Sequence, residues 1–218
     1  GGETATGEED PVVDVGCGTG LVGVALRATG PWTVDGLDLS TEMLGEARVK
    51  VAGEGDSVYR HLHEGDLTAT LDIPSGTYGA VVSCGTFTHG HVGPTAFDEL
   101  YRITRPGGLF EIGINPDHFT NLGFADRFVD DVAAGRITEP VIRRVNTYEA
   151  GDHAGQLSSV AVFRTLWTPW RAGSGDSAGH IGATAQRRFD LAVAVRAPRN
   201  LDGRAVIPVS YTPLTPAT

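Results

Sequence analysis

Over the first half of the chain, short apolar runs alternate with segments whose apolar residues recur at helical spacing. The runs at 12–15, 33–37, 58–63, 78–84 and 108–114 predict strands, and the segments 20–29, 41–52 and 94–104 predict helices. The last helix is expected to end at "RPGG", where Pro106 and Gly107 stop it. Val12, Val13 and Val15 read as a strand buried on both faces, the habit of parallel sheets. Alternating strands and helices in this order predict an α/β fold: a doubly wound, mostly parallel sheet with helices on both faces. Crossovers in such a sheet are right-handed, and ligands bind beyond the carboxyl ends of the strands.

From about Phe119 the pattern changes. Phe119, Leu122, Phe124, Phe128, Val129 and Val132 are spaced as one amphipathic helix. Two strands follow near 139–148 and 156–166, and they are expected to close the sheet edge as an antiparallel pair. After Trp170 no periodicity is sustained. "RAGSGDSAGHIGAT" has the composition of a loop, and three prolines fall in the last eleven residues. The expected organisation is a flexible remnant at 1–10, one domain over 11–170, and a tail over 171–218 dispensable for the fold. Only 187–197, "RRFDLAVAVRA", alternates enough for an edge strand.

Composition narrows the partners. The chain has 218 residues with net charge −10, which argues against nucleic acid as a partner. No apolar run approaches the roughly 18 residues of a membrane span, and the first ten residues lack the features of a signal peptide. Two cysteines, Cys17 and Cys84, show no metal-ligand spacing, so no metal is expected and a reduced, cytoplasmic setting is the default.

The candidate chemistry lies in "VVDVGCGTGLVG", residues 12–23, a strand followed by a glycine turn and a helix. Counted from Gly18, "GTGLVG" is a GxGxxG with Asp38 ending the second strand, the pattern of a dinucleotide site. That motif should start where the strand ends, at Gly16, and this register would require glycine at Leu21. Counted from Asp14, "DVGCGTG" is acidic-x-Gly-x-Gly-x-Gly and fits without a shift. An acid inside the first strand is out of place beneath phosphates and suits a ligand carrying an amine and a sulfonium.

In this register the chain resembles class I S-adenosylmethionine-dependent methyltransferases. "LDLSTEML" at 37–44, "EGDL" at 64–67, "YGAVVSCGTFTH" at 78–89 and "RITRPGGLFEIGI" at 102–114 match that family in order and spacing. "FTHGHVGP" and the helix-then-hairpin ending are similar to the methyltransferase-like proteins named after the Williams–Beuren syndrome region. Enzymes of this kind carry helices ahead of the glycine motif that cover the cofactor.

The resemblance implies S-adenosylmethionine as cofactor and a small-molecule acceptor, methylated on oxygen or nitrogen. It places Asp14 under the amino acid end of the cofactor, with Gly16, Cys17, Gly18 and Gly20 as the floor. Asp38 would accept the ribose hydroxyls, Leu39 and Met43 would pack on the adenine, and Asp66 with Leu67 would read its edge. Ser83 and Cys84 would border the methionine portion. His89 and His91 are the candidates for removing the acceptor's proton, since histidine titrates in the useful range. Glu111, Asn115, Asp117 and His118 are candidates for the acceptor pocket. The alternative functions are an NAD(P)-dependent oxidoreductase and a non-catalytic cofactor-binding protein.

Overall fold

In chain order, a computed structural model contains β1 (Val12–Val15), α1 (Leu21–Thr29), β2 (Val34–Asp38), α2 (Thr41–Arg48), β3 (Val51–Ala52), β4 (Asp56–Ser57), β5 (Leu62–Glu64), β6 (Tyr78–Phe87), α3 (Ala96–Ile103), β7 (Thr104–Ile114), α4 (Pro116–Asn121), α5 (Phe124–Ala133), β8 (Val141–Asn146) and β9 (Leu157–Arg164). The structure describes residues 10–53, 55–87, 92–146 and 157–166.

The main sheet has seven strands in the order β5-β2-β1-β6-β7-β9-β8. The pairs β5–β2, β2–β1, β1–β6 and β6–β7 are parallel, whereas β9 runs antiparallel to both β7 and β8. The expected doubly wound sheet is therefore present, and the closing antiparallel pair has its later strand on the inside. Strand order reverses between β1 and β6, so their carboxyl ends form the crevice where such sheets bind ligands.

Alternation along the strands divides the core into two layers. Val13, Val15, Leu37, Val81, Phe110, Ile112 and Phe163 face α3 and α5, where Phe97, Tyr101, Phe124 and Phe128 complete an aromatic cluster. Val12, Val34, Ala80, Val82 and Leu109 face the opposite way, against Leu26 of α1 and Leu44 and Ala47 of α2. Burial on both sides explains why the central strands read as continuous apolar runs.

Several expected boundaries are corrected. The helix expected over 41–52 starts with Ser40 as N-cap, its hydroxyl accepting from the Met43 amide at 3.2 Å, but ends at Arg48. Val51 and Ala52 instead pair with Asp56 and Ser57 in a two-stranded hairpin. The strand expected over 58–63 shrinks to Leu62–Glu64, because Val58 and Tyr59 turn inward and are buried. The strand expected over 78–84 continues to Phe87.

Pro106 and Gly107 do not end a helix. α3 stops at Ile103, where Thr104 is already extended and its hydroxyl donates to the Leu100 carbonyl at 2.7 Å. "RPGG" then lies within β7, at a register shift against β6. The single helix expected from Phe119 is two, α4 and α5, parted at Gly123. The expected tail and the 187–197 alternation lie outside the described residues. No helix among the described residues is long and apolar enough to cross a membrane.

Candidate cofactor-binding site

The turn after β1 is held from both neighbouring strands. The Gly16 and Cys17 amides donate to the Leu37 carbonyl of β2 at 2.7 and 3.0 Å. From β6, the Ser83 and Thr86 hydroxyls both donate to the Val15 carbonyl, at 2.8 and 2.9 Å. Gly16 has φ +66°, and a Cβ there would run into the Thr86 side chain, so only glycine fits. A Cβ at Gly18 would meet nothing, which marks that side of the loop as open.

Asp38 ties the loop to the end of β2. Its Oδ2 accepts from the Gly18 amide at 2.8 Å and its Oδ1 from the Ser40 amide at 2.9 Å. A carboxylate oxygen has two lone-pair directions, so each retains capacity for another donor. Beyond Gly20, α1 begins with no side-chain cap and no acid in its first turn. Its N-terminus therefore keeps free N–H groups and the positive end of the helix dipole.

Asp14 is fully buried below this floor. Its Oδ2 accepts from the Tyr59 phenol at 2.7 Å, and its Oδ1 has no hydrogen-bond partner. Burial pushes its carboxyl up to about 7, partly offset by the Tyr59 phenol and the Gly23 amide, with Asp38 adding to the rise. Tyr59 is the functional-site residue that sequence reasoning missed. Its ring lies where Gly20, Gly23 and Gly36 would carry side chains; a Cβ at Gly23 would collide with the ring outright. A glycine inside α1 and another inside β2 were the available signal, since each is unfavourable unless a neighbour needs the space.

The other expected residues take mixed positions. Leu39 is 68% exposed at the mouth of the site, and Met43 is half-buried on α2. Asp66 is exposed, and its Oδ1 accepts from the Thr68 amide and hydroxyl at 2.8 and 2.7 Å, which hold its carboxyl below the usual range. Leu67 packs into the core layer that faces α3.

Ser83 is buried and engaged as the clamp on Val15. Cys17 is buried, its sulfur close to Gly36, and burial pushes its thiol far up. Burial, Asp14 and Glu111 push Cys84 up to about 12, so its thiol is neutral at ordinary pH. Glu111 lies inside β7, three residues before its end, Asn115 directly follows the strand, and Asp117 and His118 fall in α4. His89 and His91 lie outside the described residues. No group of His, Cys, Asp or Glu able to hold a metal occurs among the described residues.

A mostly parallel sheet with a glycine turn after β1 and an acid ending β2 is the arrangement found in nucleoside-cofactor-binding α/β domains. Residues 12–108 match the family model described as a methyltransferase domain. Human methyltransferase-like protein 27 is 38% identical over 99 residues, 45% of this chain and 38% of that protein. Malonyl-[acyl-carrier protein] O-methyltransferase of Pectobacterium atrosepticum is 40% identical over 104 residues, 45% of this chain and 36% of that protein. The matches thus span less than two fifths of these curated relatives. A crystal structure of a SAM-dependent methyltransferase from Aquifex aeolicus shares the fold, with TM-score 0.50, 19% identity, and coverage of 72% of this chain and 82% of that one. Residues 12–108 thus resemble a methyltransferase domain, and the fold is one that S-adenosylmethionine-dependent methyltransferases share.

Proposed function

We propose that this domain transfers a methyl group from S-adenosylmethionine to a small-molecule acceptor, on oxygen or nitrogen. The observation that carries the reading is Asp38 joined to the Gly18 amide, which brings a two-oxygen acceptor to the edge of an open glycine floor. The fit extends to the orphaned Oδ1 of Asp14 below that floor, in a place suited to positive rather than phosphate charge. Asp38 would take the ribose hydroxyls, Leu39 and Met43 the adenine faces, and Asp66 with the Leu67 amide its edge. Gly16, Cys17, Gly18 and Gly20 support the amino acid end from below, and the open N-terminus of α1 favours its carboxylate. Ser83 and Cys84 border the methionine portion.

When bound, the cofactor supplies an electrophilic methyl group on a good leaving group. The protein's task is then chiefly to hold the acceptor close and aligned. His89 and His91 follow β6 in sequence and are assigned the acceptor's proton. Oxygen acceptors are supported by the bacterial relative, whose name is that of an O-methyltransferase. The domain boundary at about residue 170 belongs to the same proposal.

Calorimetry with S-adenosylhomocysteine and with NAD tests the reading. Binding of the homocysteine compound and not of NAD is expected. Binding of NAD alone would replace the methyltransferase reading with the oxidoreductase one.

A further inference from the structure

Three aspartates are buried among the described residues, and each accepts from a tyrosine phenol: Asp14 from Tyr59, Asp35 from Tyr78 and Asp131 from Tyr101. Two of them also hold cations. Asp35 takes both nitrogens of the Arg60 fork at 3.0 and 2.7 Å, and Asp131 takes Arg127 at 2.7 Å and Arg136 at 2.9 Å. Asp14 has no cation among the described residues, and one of its oxygens has no hydrogen-bond partner. A buried carboxyl in that condition must carry a proton or face an uncompensated charge.

The groups packed around Asp14 sharpen this choice. Tyr59 comes from the loop between β4 and β5, Cys17 from the glycine turn and Cys84 from β6, with Glu111 of β7 beside Cys84. Asp38 stands at the end of β2, and the Lys50 stem lies near Gly20. Tyr59 and Cys17 are both pushed up, first by burial and then by Asp14, so they remain neutral. Burial pushes the Asp14 carboxyl up to about 7, toward neutrality.

We propose that Asp14, held by Tyr59 beneath the glycine loop, releases its proton to solvent as the sulfonium cofactor binds, and that its charge makes the site prefer that cofactor over the neutral thioether product. The proposal rests on the methyltransferase reading. The two ligands differ by one methyl group and one positive charge. A buried negative charge with no cation beside it among the described residues acts on that difference through a poorly screening floor. By linkage, a ligand that favours the ionised form lowers the group's pKa and expels its proton. Tyr59 is then a positioning residue: its phenol orients Oδ2, and its ring fixes the glycine backbone above.

The test is calorimetric titration of the whole chain with S-adenosylmethionine and with S-adenosylhomocysteine, from about pH 5.5 to about pH 8.5. Affinity for the sulfonium relative to the thioether should rise roughly tenfold across that range, with a midpoint near neutrality. Titrations in buffers of different ionisation enthalpy should show more proton release with the sulfonium at low pH. Tyr59→Phe removes a hydrogen bond that stabilises the carboxylate, so the midpoint should move to higher pH. A phenol that served packing alone would leave it in place, and that result would overturn Tyr59's role. Asp14→Asn should make the ratio independent of pH. A pH-independent ratio in the parent, with both ligands bound, overturns the inference and leaves the methyltransferase reading standing. Binding of neither ligand at any pH overturns that reading, and the inference with it.

Discussion

The Asp38 carboxylate does two things at once in this structure: it receives the Gly18 and Ser40 amides, and it keeps lone pairs directed away from them. Asp38→Ala should therefore act on both stability and binding. Two amides lose their acceptor, which costs about 1–3 kcal/mol of folding stability. On the proposed function the paired ribose contacts would be lost as well, and affinity for S-adenosylhomocysteine should fall by about one order of magnitude or more. A thermal melt and a binding titration on the same preparation separate the two effects; unchanged affinity would place the ribose elsewhere. Asp38 and the glycines were legible in the sequence because their chemistry is carried by local order and spacing. Tyr59 was not, since it reaches Asp14 from 45 positions away and only through burial. Ser83 was expected to end its strand but lies inside β6, four residues before Phe87, where its hydroxyl grips the Val15 carbonyl, a contact that depends on strand register.

At the scale of elements, α5 is fastened by charge as well as by its aromatic face. Asp131, fully buried, accepts from the Tyr101 phenol of α3 and from two guanidiniums, Arg127 one turn back and Arg136 just past the helix. Asp131→Ala strands these donors and should cost roughly 3–5 kcal/mol, read as a lower urea midpoint at unchanged slope. A loss below about 1 kcal/mol would mean that solvent takes over the arginines. Periodicity placed Phe119, Phe124 and Phe128 against the core, but it joined α4 and α5 into one helix and counted Leu122, Val129 and Val132, which are exposed, in the same face. The break is set by Gly123, with φ +80°, which periodicity does not register. Similarly, "RPGG" reads as a helix stop by composition, while the chain had already turned extended at Thr104.

For the whole molecule, β9 is the last strand of the sheet among the described residues. Phe163 is buried among Phe97, Phe110 and Phe128, and the Leu166 amide donates to the Arg136 carbonyl at 2.6 Å. Truncation after Trp170 should thus shift the melting temperature by only a few degrees and preserve S-adenosylhomocysteine binding. An insoluble product, or one melting far earlier, would show that 187–197 belongs to the sheet. The parallel half of the architecture was legible from alternation alone, whereas the order of the last two strands was not, because a run of apolar residues carries no record of its neighbours. That order governs how the protein can be made. β9 lies between β7 and β8, so β8 leaves the ribosome before the strand that joins it to the rest exists. Residues 10–133 can begin to collapse during translation, but the outer edge of β7 stays unpaired until Arg164 has emerged. A pause in synthesis between those points would hold a long apolar edge open to other nascent chains.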